Sequence, residues 1–186
     1  MKKVVLVPLA NGFEEIEAVS IIDILRRGGI EVIIGYLEES NFIKGAHNII
    51  IQGDSHIKNI DIDTLDMIVL PGGWGGTKAL ASDETVQSIL KTMDKQNKLI
   101  GAICAAPYAL HTAGVLKQNY TCYPSVEDEI RLDGYKGDSA MIVEDENILT
   151  SRGPATAMCF ALEIVKKLAG VEKYLAVKNA LLANHC

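Results

Sequence analysis

Lys98-Leu-Ile-Gly-Ala-Ile-Cys104-Ala-Ala-Pro107-Tyr-Ala-Leu110 begins as an unbroken apolar run and ends as a helix-like one, with a single thiol at the join. An apolar run that does not alternate with polar residues belongs to a strand buried on both faces, as in a parallel sheet covered by helices. The stretch therefore predicts a strand over Lys98–Cys104 that breaks sharply into a helix over Ala105–Ala113. A strand-to-helix elbow lifts its side chain out of the sheet and sets it beside the positive end of a helix. Free cysteine titrates near ~8.5, and such surroundings bring it down to about 3.5–7.5. The competing reading of Cys104 is a small apolar residue packed at a strand end, a common use of cysteine. Position alone leaves both open.

Working outward, apolar runs alternate with helical patterns along most of the chain. Strands are expected at Lys3–Pro8, Glu31–Tyr36 and Asp66–Leu70, with shorter pieces at Ala140–Val143 and Ile148–Thr150. Helices are expected over Glu14–Arg27, Asp83–Gln96, Pro154–Leu168 and Glu172–Ala183, and a polar hairpin region over Glu38–Gly53. The helix from Pro154 has proline in its first turn and Gly170 beyond its end, the usual asymmetry. Strands alternating with helices give a doubly wound α/β sandwich, mostly parallel. With no linker, repeat or low-complexity stretch, residues 1–186 read as one domain.

Composition bounds the function. The 186 residues are 48% hydrophobic and 23% charged, ordinary for a soluble globular chain. A net charge of -6 and no Lys/Arg cluster argue against a nucleic-acid partner. No stretch approaches the ~18 uninterrupted apolar residues of a membrane span. The N-terminal apolar run is short and Glu14-Glu15 follows it, which disfavours a signal peptide and suggests the cytoplasm. Four scattered cysteines (Cys104, Cys122, Cys159, Cys186) are expected as free thiols in a reducing compartment. Cys159 reads as core and Cys186 as exposed. No cysteine or histidine spacing suggests a metal site.

In this architecture ligands bind beyond the carboxyl ends of the strands. Pro8-Leu-Ala-Asn-Gly12, Pro71-Gly-Gly-Trp-Gly-Gly76 and Cys104-Ala-Ala-Pro107 all occupy such ends and would share one rim. Glycines let peptide N–H groups approach a bound atom, and such donors beside a thiolate suit an oxyanion hole. A ligand-free tight loop is the plainer reading of the same glycines. The spacing is neither a phosphate loop nor a dinucleotide fingerprint.

On a helical wheel, Ala18, Ile21, Ile22, Ile24 and Leu25 form an apolar arc that contains Glu17, while Glu15 falls on its polar margin and Glu14 lies in the first turn. A carboxyl group on the sheet-facing side has a raised pKa and can donate or shuttle a proton. A glutamate snorkelling from the helix edge is the alternative. His111 reads as a helix-surface residue, and His47, His56 and His185, in polar contexts, are assigned no role. Cys122 is read as inert.

Four blocks then become recognisable: Ala10-Asn-Gly-Phe-Glu-Glu-Ile-Glu-Ala18, Val69-Leu-Pro-Gly-Gly73, Ala102-Ile-Cys-Ala-Ala-Pro107 and Leu149-Thr-Ser-Arg-Gly-Pro-Ala-Thr156. In order and spanning nearly the whole chain, they resemble the ThiJ/PfpI superfamily, and within it the DJ-one branch of the Parkinson-disease-associated deglycase. The resemblance implies a flavodoxin-like sandwich, usually a homodimer, with Arg27 at the subunit interface. It implies Cys104 as nucleophile, Glu17 as the buried acid that hydrogen-bonds the thiol, and Gly73 and Ala105 as backbone donors. Gly72, Tyr123, Ser151, Arg152 and Pro154 would lie nearby.

Two functions follow from the resemblance. One is conversion of 2-oxoaldehydes (methylglyoxal, glyoxal) or early glycation adducts to hydroxy acids, with no metal or organic cofactor. The other is a redox sensor or redox-regulated chaperone working through oxidation of Cys104. One departure stands out: in Tyr120-Thr-Cys-Tyr-Pro124, Tyr123 takes the place where some relatives carry a histidine. Glu17 would then handle the protons alone, or with hydrogen-bonding help from Tyr123.

Overall fold

The structure is a computed structural model, described over residues 2–186. Its main sheet has seven strands. β1 (Val4–Leu9), β2 (Glu31–Tyr36), β6 (Met67–Leu70), β7 (Leu99–Ile103) and β9 (Ile148–Ser151) carry the core, with β5 (Ser55–His56) and β8 (Ile142–Asp145) at the edges. The order β5-β2-β1-β6-β7-β9-β8 is parallel except for the antiparallel β8–β9 pair. β3 (Phe42–Lys44) and β4 (Ile50–Gln52) form a separate antiparallel hairpin inside the expected polar region.

Strict alternation along the strands divides the interior into two cores. Val5, Val7 and Leu9 of β1, with Met67 and Val69 of β6, face one side. There they meet α1 (Glu15–Arg27) and α5 (Ala157–Ala169), with α6 (Val171–Ala180) packed outside α5. Leu6, Ile68, Leu70, Ile100 and Ala102 face the other side. They meet α2 (Trp74–Ser82), α3 (Glu84–Lys95) and α4 (Pro107–Ala113). The sandwich is thus the doubly wound one expected from the non-alternating apolar strands, in the flavodoxin-like form that the resemblance implies.

Three local differences have physical causes. The glycine-rich run after β6 is not a loop throughout, because Trp74–Ser82 is helical. Gly75 and Gly76 lie in its first turn, where the β1–α1 loop passes close: a Cβ on Gly76 would sit 2.9 Å from the Phe13 nitrogen. Glycine there serves packing against that loop at the expense of helix propensity, which hides the helix from a propensity reading. The helix expected from Pro154 begins with a 3-10 turn over Pro154–Thr156 before α5. Finally, Cys159 and Cys186 are joined in a disulfide, so the expectation of four free thiols is corrected. Cys186 is half-buried against α5 rather than exposed, and Cys104 and Cys122 are the free cysteines. Among the described residues no helix is long and apolar enough to cross a membrane.

Candidate active site

Cys104 follows the last residue of β7 and takes φ 63°. A left-handed conformation in a residue with a Cβ costs of order 1–3 kcal/mol and persists only where its surroundings fix it. Here both backbone groups are tied: the Cys104 N–H donates to the Ser151 carbonyl at 3.0 Å, and its carbonyl accepts from Tyr123 N–H at 2.9 Å. The side chain is thereby turned out of the sheet, 8% exposed, at the C-terminal rim.

Glu17, on the buried face of α1, is fully buried. Its Oε2 accepts from Gly72 N–H at 2.7 Å, and its own N–H donates to the Glu14 carboxylate at 2.7 Å, which caps the helix. The carboxyl group also meets the Cys104 thiol, while Oε1 has no nitrogen or oxygen partner among the described residues. Gly72 is required by close approach: a Cβ there would lie 2.7 Å from both Cys104 Cβ and Glu17 Oε2. Gly73 turns the chain with φ +86° into α2, and no side chain fits beside the Gly12 carbonyl 2.4 Å from its Cβ position.

The electrostatics follow from burial. Loss of water pushes Glu17 up to about 7, opposed by the Gly72 N–H and the thiol and aided by the Glu14 charge. Burial also pushes the Cys104 thiol well up, and the neighbouring Glu17 charge adds to it. The N–H groups of Gly73 and Ala105 donate to the sulfur and pull the other way, without outweighing burial. The expected depression of the thiol is therefore not found. The pair is a buried thiol and carboxyl group in which two negative charges are disfavoured and one proton is readily shared.

Cys104 lies at the floor of a cavity of about 600 Å³, with Glu17 buried behind it. Gly73, Trp74, Ala105, Tyr123, Val126 and Pro154 line it, and Glu14, His47, Asp128 and Glu129 supply its ionisable wall. Of the residues singled out in the sequence, Cys104, Glu17, Gly72, Gly73 and Ala105 come together, and Tyr123 and Pro154 stand over them. Ser151 lies beneath instead: its hydroxyl bonds the Met141 carbonyl at 2.9 Å and Thr156 at 2.8 Å. Arg152 points into a neighbouring hollow and pairs by charge with exposed Asp138 at 2.7 Å, without an aligned hydrogen bond. Arg27 pairs with Asp23 one turn back on α1. His111 is exposed on α4, as expected.

Two residues at the rim escaped the sequence reading. Glu15 is buried rather than marginal, because the β3–β4 hairpin covers it. His47, at the tip of that hairpin, bonds Glu15 through its ring at 3.0 Å. Separated by 32 residues, this pair has no local periodic signal. Glu14, Glu15 and His47 have ligating atoms within 4.8 Å of one another, as do Cys159, His185 and Cys186. Both groups are already committed, the first to helix capping and hydrogen bonding, the second to the disulfide.

Comparison with known proteins agrees with the geometry. Residues 2–167 match the DJ-1/PfpI family, and the chain belongs to that family. It is 39% identical over 183 residues to protein dj-1beta of Drosophila melanogaster, covering 98% of each chain. The crystal structure of that fly protein superposes with a TM-score of 0.94 over 98% of both chains. It is also 39% identical over 175 residues to the glutathione-independent glyoxalase DJR-1.2 of Caenorhabditis elegans, covering 93% of this chain and 90% of that one. A structure of oxidized DJ-1 from Toxoplasma gondii matches at 35% identity, with a TM-score of 0.91 over 97% of this chain and 98% of that one.

Proposed function

We propose that the chain is a cofactor-independent glyoxalase or deglycase-type enzyme that converts 2-oxoaldehydes, such as methylglyoxal and glyoxal, or their early glycation adducts. The observation that carries this is the placement of a strained, buried thiol against a carboxyl group of pKa about 7, under two peptide donors, at the floor of a mostly apolar cavity. The naming of the nematode relative and of a Schizosaccharomyces pombe relative as glutathione-independent glyoxalases supports it.

The Cys104 thiol adds across the aldehyde carbonyl. The S–C bond forms while Glu17 carries the thiol proton to the aldehyde oxygen, giving a hemithioacetal. Charge developing on that oxygen is met by the Gly73 and Ala105 N–H groups. Glu17, again a carboxylate, removes the C1 hydrogen as a proton and returns it to C2. The product is a thioester of the hydroxy acid, which water hydrolyses to the acid and free thiol. A carboxyl group near 7 is suited to this, since it exists in both protonation states at neutral pH.

The test is methylglyoxal consumption with lactate formation by wild type and Cys104→Ala at equal folded concentration. Cysteine-dependent turnover establishes the reading, and no turnover in either protein sinks it. The same acid and donors favour a second reading, supported by the oxidized Toxoplasma relative. Peroxide would oxidise Cys104 to a sulfinate held by protonated Glu17, two peroxides each giving up one oxygen and leaving as water. Mass spectrometry showing equal oxidation of Cys104 and Cys122 would count against that role.

A homodimer is proposed as well. Exposed Ile16 and Val19 on α1, and exposed Ile49, whose N–H donates to Glu15, offer apolar surface suited to a second copy. Light scattering in solution tests it. One-domain organisation and a cytoplasmic setting complete the proposal.

A further inference from the structure

The sequence offers no histidine at Tyr123, yet the fold brings one to the cavity from elsewhere. His47 lies at the tip of the β3–β4 hairpin and lines the same cavity as Cys104. The hairpin is fixed backbone to backbone against the loop that carries the glutamates. Gly12 N–H donates to the Lys44 carbonyl at 2.8 Å, and Ala46 N–H to the Phe13 carbonyl at 2.8 Å. Lys44 N–H donates to Asn11 Oδ1 at 2.8 Å.

Glu15 anchors the ring. Its Oε1 accepts from His47 N–H at 2.6 Å and from Ile49 N–H at 3.4 Å, and its Oε2 meets His47 Nδ1 at 3.0 Å. Gly45 makes room for this carboxylate, since a Cβ there would fall 2.3 Å from Glu15 Oε1. A carboxylate that receives peptide N–H bonds stays ionised, and Glu15 is held below the usual carboxylate range even though it is buried. An ionised carboxylate on Nδ1 fixes the tautomer and leaves Nε2 as the free ring nitrogen. The ring itself stays largely exposed, with 74% of its side chain accessible.

We infer that His47, oriented by Glu15, is the second acid–base group of the active site and acts on the ketone oxygen of the 2-oxoaldehyde. This rests on the glyoxalase reading above and supplies the step that Glu17 alone leaves open. As Glu17 removes the C1 proton, protonated His47 donates a proton to the C2 oxygen, giving a neutral enediol in place of an enediolate. As Glu17 returns its proton to C2, neutral His47 takes the proton of the C1 hydroxyl while the thioester carbonyl forms. Both residues end in their starting states, and no oxidant or reductant is consumed. Glu15 is a positioning residue in this scheme. His47 faces Glu14 at the N-cap of α1 and Glu15 in its first turn, Asp128 and Glu129 across the cavity, and Cys104 on the floor with Glu17 buried behind it. Its neighbours are therefore acidic, and the Glu15 contact raises its pKa.

The test is steady-state methylglyoxal turnover by wild type, His47→Ala and Glu15→Gln, with Cys104 alkylation by iodoacetamide measured in parallel. His47→Ala is expected to lower kcat by roughly 10²-fold, the usual worth of a positioned acid–base group. Alkylation of Cys104 should stay within about twofold, because the thiol's own contacts remain. Added imidazole should restore turnover in His47→Ala, since the vacated position is open to solvent. A residue that only held the hairpin would not be rescued. Glu15→Gln should move the alkaline limb of the kcat profile to lower pH, because the ring loses the carboxylate that keeps it protonated. Full turnover in folded His47→Ala overturns the inference and leaves the glyoxalase reading standing, as does lost turnover without imidazole rescue. No turnover in wild type overturns both.

Discussion

Replacing Glu17 by Gln should stabilise the protein above neutral pH while destroying its chemistry. The carboxyl group is fully buried, and burial raises its pKa from 4.5 to about 7. That difference disfavours ionisation in the folded state by about 3 kcal/mol. Because the folded pKa lies above the unfolded one, the folded chain binds the proton more tightly. The associated stability is complete below about 4.5, falls as pH rises toward 7, and is gone above it. Wild type should therefore lose about 3 kcal/mol over that window from this group alone. Glutamine has nearly the same shape, keeps an acceptor for Gly72 N–H and carries no charge.

The assay is denaturant unfolding of both proteins at matched pH from 4 to 9. Groups away from Glu17, including Glu15 and Asp66 with their lowered pKa values, contribute alike to both curves and cancel in the difference, and the Cys104 thiol, pushed well up by burial, stays protonated over most of this range. The difference should grow in favour of Glu17→Gln between about 4.5 and 7 and then level off. In a chain of this length ~3 kcal/mol corresponds to roughly 6–12 °C in Tm. A flat difference, or one that favours wild type as pH rises, would refute the burial argument. Methylglyoxal turnover in the same variant should be abolished, which separates the stability of the acid from its use.

Gly72→Ala places a methyl group 2.7 Å from both Cys104 Cβ and Glu17 Oε2, so the pair must separate. Turnover is expected to fall by roughly 10²-fold, read as kcat/KM beside a melting curve; unchanged kcat/KM would mean the contact is not needed. Cys186→Ser removes the Cys159–Cys186 link across 27 residues and should cost about 3–4 kcal/mol against the oxidised wild type. Unfolding with and without dithiothreitol checks this, since reduced wild type should match the variant; equal stability of oxidised and reduced wild type would show that the link contributes nothing.

What the sequence reveals here is local, and what it hides is tertiary. The β7 elbow at Cys104 is legible because an unbroken apolar run ends at one thiol and a proline follows three residues on. Glu17 is legible because a carboxylate inside an apolar arc contradicts its own periodicity. α2 is hidden because Gly75 and Gly76 answer to the loop packed against them rather than to helix propensity. Glu15 lies on the polar margin of its wheel, and only the hairpin folding over it makes it buried. The Cys159–Cys186 link is hidden for the same reason: neither residue's own segment shows that the C-terminus returns to α5.

The raised thiol bears on how Cys104 is activated. Its pKa is pushed up first by burial and then by the Glu17 charge, while two peptide N–H groups oppose both. If the Glu17 carboxylate were the base that generates a standing thiolate, Glu17→Gln would slow iodoacetamide at every pH. The electrostatics predict the reverse. Removing the neighbouring negative charge lowers the thiol's pKa, so Cys104 alkylation should accelerate in Glu17→Gln at pH 8 even as aldehyde turnover disappears. Alkylation needs only the thiolate, whereas turnover also needs a proton moved between carbons, which glutamine cannot do. Faster alkylation with lost turnover would place Glu17 in the proton transfers that accompany and follow attack on the aldehyde, not in making a standing thiolate. Slower alkylation would return it to thiol activation and refute the electrostatic ordering.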